Sequence, residues 1–241
     1  FNTKEKLSFR KEIQIKNLHF FYSKKSKNIS SDINLMIRKG TNIGIFGQTG
    51  SGKTTLINIL MGILSPIKGN IYIDGISLFN KNPNNLSKWK NNISHVPQEV
   101  FLYDSSILEN IALCVPKNEI NIKRAISAAK ISHAHEFINK TNDGYKTIVG
   151  EKGIKLSGGQ KQRIGLARAL YSDAEILILD ESTSALDFKT EQSVIDSIFN
   201  SKTNSDLTTI TIAHRLSTLR YCDKIVELSN GGIKKIYGNK E

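Results

Sequence analysis

Residues 42–62 carry the clearest structural signal of the sequence and read NIGIFGQTGSGKTTLINILMG. Its first part, 42–46, is a short and nearly continuous apolar run, which is typical of a strand buried on both faces. The glycine-rich segment 47–54 follows directly, and residues 54–61 have the composition of a helix that Gly62 ends. Strand, glycine-rich loop and helix stand in the order that a phosphate-binding loop requires, so we expect this segment to hold phosphates.

The side chains of this loop suit a nucleoside triphosphate. Glycines let the backbone N–H groups face the phosphates, and Lys53 reaches the β- and γ-phosphates. The hydroxyl of Thr54 can bind Mg²⁺. The predicted nucleotide-binding residues of this segment are Gly47, Gln48, Thr49, Gly50, Ser51, Gly52, Lys53, Thr54 and Thr55.

Two adjacent carboxylates end an apolar run at residues 176–181, which read ILILDE. A buried strand that ends in two acids is unusual on grounds of stability alone. Successive residues of a strand point in opposite directions, so Asp180 and Glu181 are expected to have different tasks. Asp180 fits a Mg²⁺ ligand beside the phosphate loop, and Glu181 fits the catalytic group that polarises the attacking water.

A second glycine-rich segment, LSGGQ at residues 156–160, opens a predicted long helix. Its exposed N–H groups and positive helix end are also typical of an anion site. One nucleotide cannot fill two cradles that lie apart in one chain. Two chains packed head to tail could place this segment of one chain over the phosphate loop of the other. The predicted phosphate contacts here are Ser157, Gly158, Gly159 and Gln160.

With these residues the chain resembles the nucleotide-binding domain of ATP-binding cassette (ABC) transporters, over essentially its whole length. The segment 156–160 matches the family's LSGGQ motif without deviation. The resemblance implies that Gln98 is the catalytic-site glutamine of the Q-loop, which also senses Mg²⁺. It implies that residues 184–187 form the D-loop, that Asp187 at its end contacts nucleotide, and that His214 is the catalytic switch histidine. Tyr22 matches the aromatic residue that stacks on adenine, with two neighbouring phenylalanines as alternatives.

The resemblance extends to the exporter branch of the family. Residues 149–153 resemble the X-loop of exporters, and residues 96–111 resemble the exporter form of the Q-loop region. The implied cofactors are ATP and Mg²⁺, the latter held by Thr54, Gln98 and Asp180. The implied partners are a second nucleotide-binding domain and a transmembrane domain fused N-terminally, at the cytoplasmic face of a membrane. The start at Phe1 rather than Met agrees with a chain cut from a longer polypeptide.

The predicted fold class is α/β. We expect a P-loop NTPase (RecA-like) core, an N-terminal antiparallel β subdomain and an inserted α-helical subdomain. The core is predicted at about 1–98 and 164–241, and the helical subdomain at about 99–163. Short helices at 106–113, 120–130 and 132–139, with no strand between them, indicate the insertion.

Charge and cysteine content set limits on function. The net charge is +12, but residues 1–40 carry ten Lys and Arg against three Asp and Glu, so seven of these charges lie there. The remainder is scattered without interleaved aromatic residues, which disfavours a nucleic-acid interface. Solvated faces explain most of the charge, and a basic N-terminal region near an anionic membrane surface is the more specific option. Cys114 and Cys222 are far apart in sequence, as expected of unpaired thiols in a reducing compartment.

Two other classes of ATPase share parts of this pattern. Heads of DNA-repair or chromosome-organising ATPases place a long coiled coil between the two cradles, whereas here Lys53 and Leu156 are only about a hundred residues apart without sustained heptads. Soluble ribosome-associated cassette proteins normally carry two cassettes in one chain. The exporter motor therefore remains the leading interpretation, while the transported molecule and the choice between homodimer and heterodimer stay open.

Overall fold

The computed structural model describes residues 5–21, 30–80, 82–200, 206–213 and 216–238. The described strands are β1 (Glu12–Phe20), β2 (Ser30–Arg38), β3 (Asn42–Phe46), β4 (Lys68–Ile73), β5 (Ile76–Ser77), β6 (Ile93–Val96), β7 (Ile176–Asp180), β8 (Thr208–Ile212), β9 (Lys224–Ser229) and β10 (Gly232–Gly238). The described helices are α1 (Lys53–Leu60), α2 (Pro83–Lys90), α3 (Ile107–Ile111), α4 (Ile122–Ile131), α5 (His135–Ile138), α6 (Gly158–Tyr171) and α7 (Phe188–Asn200), with short 3₁₀ turns between some of them.

The strands form two sheets of different kinds, which confirms the predicted α/β class. The antiparallel sheet has the order β2-β1-β4-β5, and the six-stranded sheet has the order β10-β9-β3-β8-β7-β6. The strand β3 runs parallel to both β8 and β9, with Ile43 opposite Ile210 and Ile45 opposite Val226. These four side chains are buried, as the continuous apolar run at 42–46 predicts for a strand covered on both faces.

The chain divides into two compact units and passes between them four times, at residues 93/94, 174/175, 178/179 and 205/206. One unit consists of Phe1–Ile93, Glu175–Ile178 and Asp206–Glu241, and the other of Ser94–Ala174 and Leu179–Ser205. We refer to them as the sheet unit and the helical unit. The predicted RecA-like core and helical subdomain boundaries stay a prediction.

Helix α2 of the sheet unit has no counterpart among the predicted elements. Its sequence, PNNLSKWK, is polar, and its main apolar anchor is Trp89, which is fully buried. The indole Nε1 of Trp89 donates to the Leu60 carbonyl at 2.7 Å. The signal for this helix is local, because Asn82 caps it through the Asn84 N–H and Pro83 occupies its first turn.

The helical unit has a core of its own. The three short helices predicted between residues 106 and 139 are present as α3, α4 and α5, each shorter at one or both ends. They pack with α6 around a cluster that includes Ile107, Ile111, Ala129, Ile138 and Ile164. None of the helices in the described parts of the chain is both long enough and apolar enough to cross a bilayer.

Candidate nucleotide-binding site

The phosphate loop of the sheet unit joins β3 directly to α1. Gly47 begins it where the backbone lies against β9, and a methyl group on Gly47 would collide with the Leu228 carbonyl oxygen. At the other end Gly52 is the N-cap of α1 and provides no side-chain cap. The first N–H groups of a helix have no intrahelical partners, so those of α1 remain available to an anion.

Two polar groups inside the loop match a phosphate ligand. The ammonium of Lys53 is folded back onto the loop, where it donates to the Gly47 carbonyl at 2.8 Å and the Gln48 carbonyl at 3.2 Å. The Ser51 hydroxyl is buried and has no hydrogen-bond partner among the described residues. A buried hydroxyl without a partner is costly, and a phosphate oxygen would satisfy it. The loop residues therefore fit the triphosphate of a nucleotide.

The other loop positions differ in exposure. Gln48, Thr49, Gly50 and Thr54 are exposed, whereas Thr55 is buried in the first turn of α1. Exposure leaves the Thr54 hydroxyl accessible to a metal ion, and burial makes Thr55 part of the packing beneath the loop.

Asp180 and Glu181 lie in the helical unit, and only Asp180 belongs to the strand, contrary to the prediction that both follow strand alternation. Strand β7 ends at Asp180, and Glu181 has a φ of 49°, outside the extended region. Because the backbone leaves the strand conformation at Glu181, the alternation of a pleated strand does not apply to this residue. A left-handed glutamate is uncommon, and such backbone conformations occur preferentially at functional sites.

The LSGGQ segment forms the N-terminus of α6. Ser157 is the N-cap, with its hydroxyl accepting from the Gln160 N–H at 3.3 Å while Gln160 Oε1 accepts from the Ser157 N–H at 2.9 Å. This capping box uses the N–H groups of the two outer residues. The N–H groups of Gly158 and Gly159 have no intrahelical partners, and Gly158 is exposed. The groups that stay available to an anion at this predicted site are therefore the N–H groups of Gly158 and Gly159, beside the exposed Ser157.

Gln162, on α6, links the sequence motifs within the helical unit, although it is not among the predicted site residues. Its side chain is 4% exposed. Oε1 accepts from the Ala185 N–H at 2.9 Å, and Nε2 donates to Ser184 Oγ at 3.2 Å and lies 3.5 Å from the Gln98 carbonyl oxygen. The D-loop also packs on Gly159, where an added methyl would lie 3.2 Å from the Ala185 carbonyl. These contacts hold the D-loop, the α6 N-terminus and the backbone at Gln98 together.

The predicted nucleotide contact Asp187 has a structural role in this conformation. Its carboxylate accepts from the Thr190 N–H at 3.0 Å at the start of α7. Hydrogen bonds from Thr190, through its side chain and its backbone, lower the pKa of Asp187 below its usual value. An ionised carboxylate at a helix N-terminus is the favourable arrangement.

The predicted residues fall into three groups. The phosphate loop lies within the sheet unit, while Gln98, the LSGGQ segment, Asp180, Glu181 and Asp187 lie within the helical unit. Tyr22 and His214, predicted from the resemblance, lie outside the described residues.

Comparisons with known proteins agree with these motifs. The family model described as ABC transporter matches residues 30–184. The chain is 43% identical over 231 residues to the alpha-hemolysin translocation ATP-binding protein HlyB of Escherichia coli O157:H7, covering 95% of this chain and 32% of that protein. It is 44% identical over 222 residues to the leukotoxin translocation ATP-binding protein LktB of Mannheimia glucosida, covering 92% of this chain and 30% of that protein.

A solved structure is similar to this chain along its whole length. It is a bacterial Atm1-family ABC exporter with ATP bound, which matches with a TM-score of 0.88 and 32% identity, over 100% of this chain and 41% of that one. The chain thus spans about a third of the length of the curated relatives. It belongs to the ABC transporter family, in which it corresponds to the ATP-binding domain.

Proposed function

We propose that two copies of this domain, or one copy and a related half, close head to tail around ATP and drive export across a membrane. The observation that carries the proposal is the presence of two phosphate-type cradles. One is the loop that holds the unpartnered Ser51 hydroxyl, and the other is the exposed α6 N-terminus at Ser157 and Gly158. In the proposed dimer each nucleotide contacts the loop of one chain and the α6 N-terminus of the other, so nucleotide stabilises the closed state.

Each predicted residue has a role in this closed state. Gly47–Thr55 hold the phosphates by N–H groups and by the Lys53 ammonium. Mg²⁺, bound through Thr54, Gln98 and Asp180 together with phosphate oxygens, would neutralise charge that develops on the transferred phosphoryl group. Glu181 orients and polarises the attacking water, and His214 contacts the γ-phosphate. Tyr22 stacks on the base, and Asp187 contacts the neighbouring nucleotide once the D-loop lies in the interface.

The experiment that tests the closed dimer uses Glu181→Gln. This change keeps the size of the side chain and removes the negative charge that polarises water, so ATP should stay bound and the dimer should accumulate. Sedimentation of the chain with MgATP should show a larger dimer fraction for Glu181→Gln than for the parent. Glu119→Gln, at an exposed site remote in sequence from every motif, serves as the matched control. If Glu181→Gln with MgATP sediments like nucleotide-free protein, the head-to-tail proposal is wrong.

Coupling to a membrane part requires a docking surface, and the exposed aromatic pair after Gln98 is the proposed one. Phe101 and Tyr103 are 51% and 54% exposed and stack edge to face with ring centroids 5.1 Å apart, while Leu102 between them is fully buried. Leu102 takes no part in this surface, because it belongs to the core of the helical unit. Exposed paired rings are suited to a protein contact.

The backbone that presents this pair is held rigidly. Asn110 is fully buried, where its amide accepts from the Tyr103 N–H at 3.0 Å and donates to the Tyr103 carbonyl at 3.0 Å. Arg168 donates to the Phe101 carbonyl at 2.9 Å and to the Asn110 carbonyl at 2.8 Å. The proposed occupant is the cytoplasmic end of the transmembrane domain, because the longer relatives are translocation proteins about three times the length of this chain. The domain would accordingly work at the cytoplasmic face of the membrane.

A further inference from the structure

The β9–β10 hairpin touches the phosphate loop through its turn. Ser229 pairs with Gly232, so the connection consists of Asn230 and Gly231 alone. Both have positive φ, 50° and 79°, the backbone of a tight two-residue turn that follows the twist of the strands. The Gly231 N–H points out of the hairpin and donates to the Ser51 carbonyl at 3.2 Å.

This single hydrogen bond controls the direction of a neighbouring donor. The Ser51 carbonyl belongs to the same peptide unit as the Gly52 N–H, and a trans peptide is planar with its C=O and N–H pointing in opposite directions. Drawing the Ser51 carbonyl toward the hairpin therefore turns the Gly52 N–H away from the hairpin, toward the inside of the loop. Glycine at position 52 has no side chain to restrict this plane, so the hydrogen bond from Gly231 is an external restraint on it.

The rest of the hairpin is tied to the strand that feeds the loop. Glu227 accepts from Tyr237 Oη at 2.7 Å and from Lys234 Nζ at 2.7 Å, which links the two hairpin strands through their side chains. The Tyr237 ring lies against the Phe46 ring, with centroids 6.2 Å apart. Phe46 is the last residue of β3, so the hairpin contacts both the entry of the loop and its far side.

A gap remains between these two contacts. A cavity of about 320 Å³ is lined from the loop side by Phe46, Gly47 and Gln48 and from the hairpin side mainly by residues 227–229 and Lys234. Side-chain packing in this space is therefore incomplete. The backbone contact at Gly231 and the close approach of Gly47 to Leu228 fix the loop on either side of it.

We propose that the β9–β10 turn is a positioning element for nucleotide binding, in which the Gly231 N–H holds the Ser51–Gly52 peptide in the orientation that receives phosphate. The inference rests on the proposed binding of ATP at this loop. It adds two positioning residues, Asn230 and Gly231, that lie some 180 residues beyond the loop in sequence and do not themselves contact the nucleotide.

The test compares two substitutions at one position. Asn tolerates positive φ far better than a β-branched residue, so Gly231→Asn should keep the turn and Gly231→Val should distort it. Loss of one oriented N–H should weaken binding of a fluorescent ATP analogue roughly three- to tenfold in Gly231→Val, with Gly231→Asn within about twofold of the parent. In steady-state kinetics the KM for ATP should rise in Gly231→Val while kcat changes little, because the hydrolytic groups lie elsewhere.

A second variant distinguishes the loss of positioning from a folding defect. Insertion of one glycine after Asn230 gives a three-residue loop, which hairpins accept, but moves the Gly231 N–H away from Ser51. This variant should keep the parent's circular dichroism spectrum and bind the analogue as weakly as Gly231→Val. If the insertion variant binds like the parent, the positioning role is wrong even though the chain binds ATP. If the parent itself fails to bind the analogue, the proposed function is contradicted instead.

Discussion

Replacement of Gln162 by leucine tests how the motifs of the helical unit are held together. The change keeps a buried side chain of similar size but removes the acceptor for the Ala185 N–H and the donor to Ser184 Oγ, at 2.9 and 3.2 Å. The D-loop then loses its two direct polar links to α6. We expect Gln162→Leu to be less stable than the parent and to hydrolyse ATP more slowly, because the D-loop no longer has a fixed position.

The size of the loss follows from the number of groups left without a partner. A donor deprived of its partner costs about 1–3 kcal/mol when buried, and the partial exposure of Ala185 places this loss near the low end. A destabilisation of about 1–2 kcal/mol corresponds to a Tm lower by roughly 2–8 °C for a chain of this length. Combination with Ser184→Ala should show a coupling energy of about 0.5–1.5 kcal/mol in a double-mutant cycle.

The matched control for Gln162→Leu is Gln192→Leu. Gln192 lies on α7 with its Nε2 buried and without a hydrogen-bond partner among the described residues. The same substitution there removes a group that is already unsatisfied, so the free energy of unfolding in urea should stay unchanged or rise. Equal stability losses for the two variants, or none for Gln162→Leu, would show that Gln162 does not hold the D-loop.

Three further outcomes are expected. Lys53→Ala should abolish nucleotide binding or turnover, measured by analogue titration and phosphate release; near-normal hydrolysis would remove the phosphate-loop assignment. In the full-length protein Phe101→Ala should reduce transport while basal hydrolysis is largely kept; equal loss of both, with a lower Tm, would indicate a core role. Hydrogen bonds from Lys117 and Ser106 lower the pKa of Glu109 from 4.5 to about 2. This carboxylate therefore stabilises the fold above pH 4.5, and the contribution is lost as the pH falls toward 2. In an acid titration of Glu109→Gln, the free energy of unfolding should not show this loss between pH 4.5 and 2. An acid-unfolding profile identical to the parent's would contradict the role of Glu109.

The parts of the fold that could be predicted are those encoded locally. The strand 42–46 is confirmed at both ends, because a continuous apolar run followed by glycines admits few other structures. Helix α2 could not be predicted from the sequence, because its sequence is polar and its burial depends on one tryptophan, which packs edge to face on Phe9. Alternation along a strand failed at Glu181, since a turn of the backbone at one residue leaves no periodic signal.

The parts of the candidate site that could not be predicted depend on contacts between distant residues. Gln162 looks like an ordinary polar helix residue, and its role comes from partners that lie 22, 23 and 64 residues away. The Asn230–Gly231 turn reads as a plain hairpin signal, and nothing local relates it to Ser51. Short motifs thus predict the groups that contact nucleotide, whereas the residues that hold those groups in place are found only in the folded structure.

The most direct test of the head-to-tail account is complementation between two inactive chains. Lys53→Ala disables the phosphate loop, and Ser157→Arg blocks the α6 N-terminus, so each variant alone should lack MgATP hydrolysis. In a mixed dimer the intact loop of one chain meets the intact α6 N-terminus of the other, which restores one site of two. An equal mixture should therefore regain up to about a quarter of the parent's specific activity, because about half of the dimers are mixed. A mixture as inactive as its components, with both chains folded, would contradict the shared site.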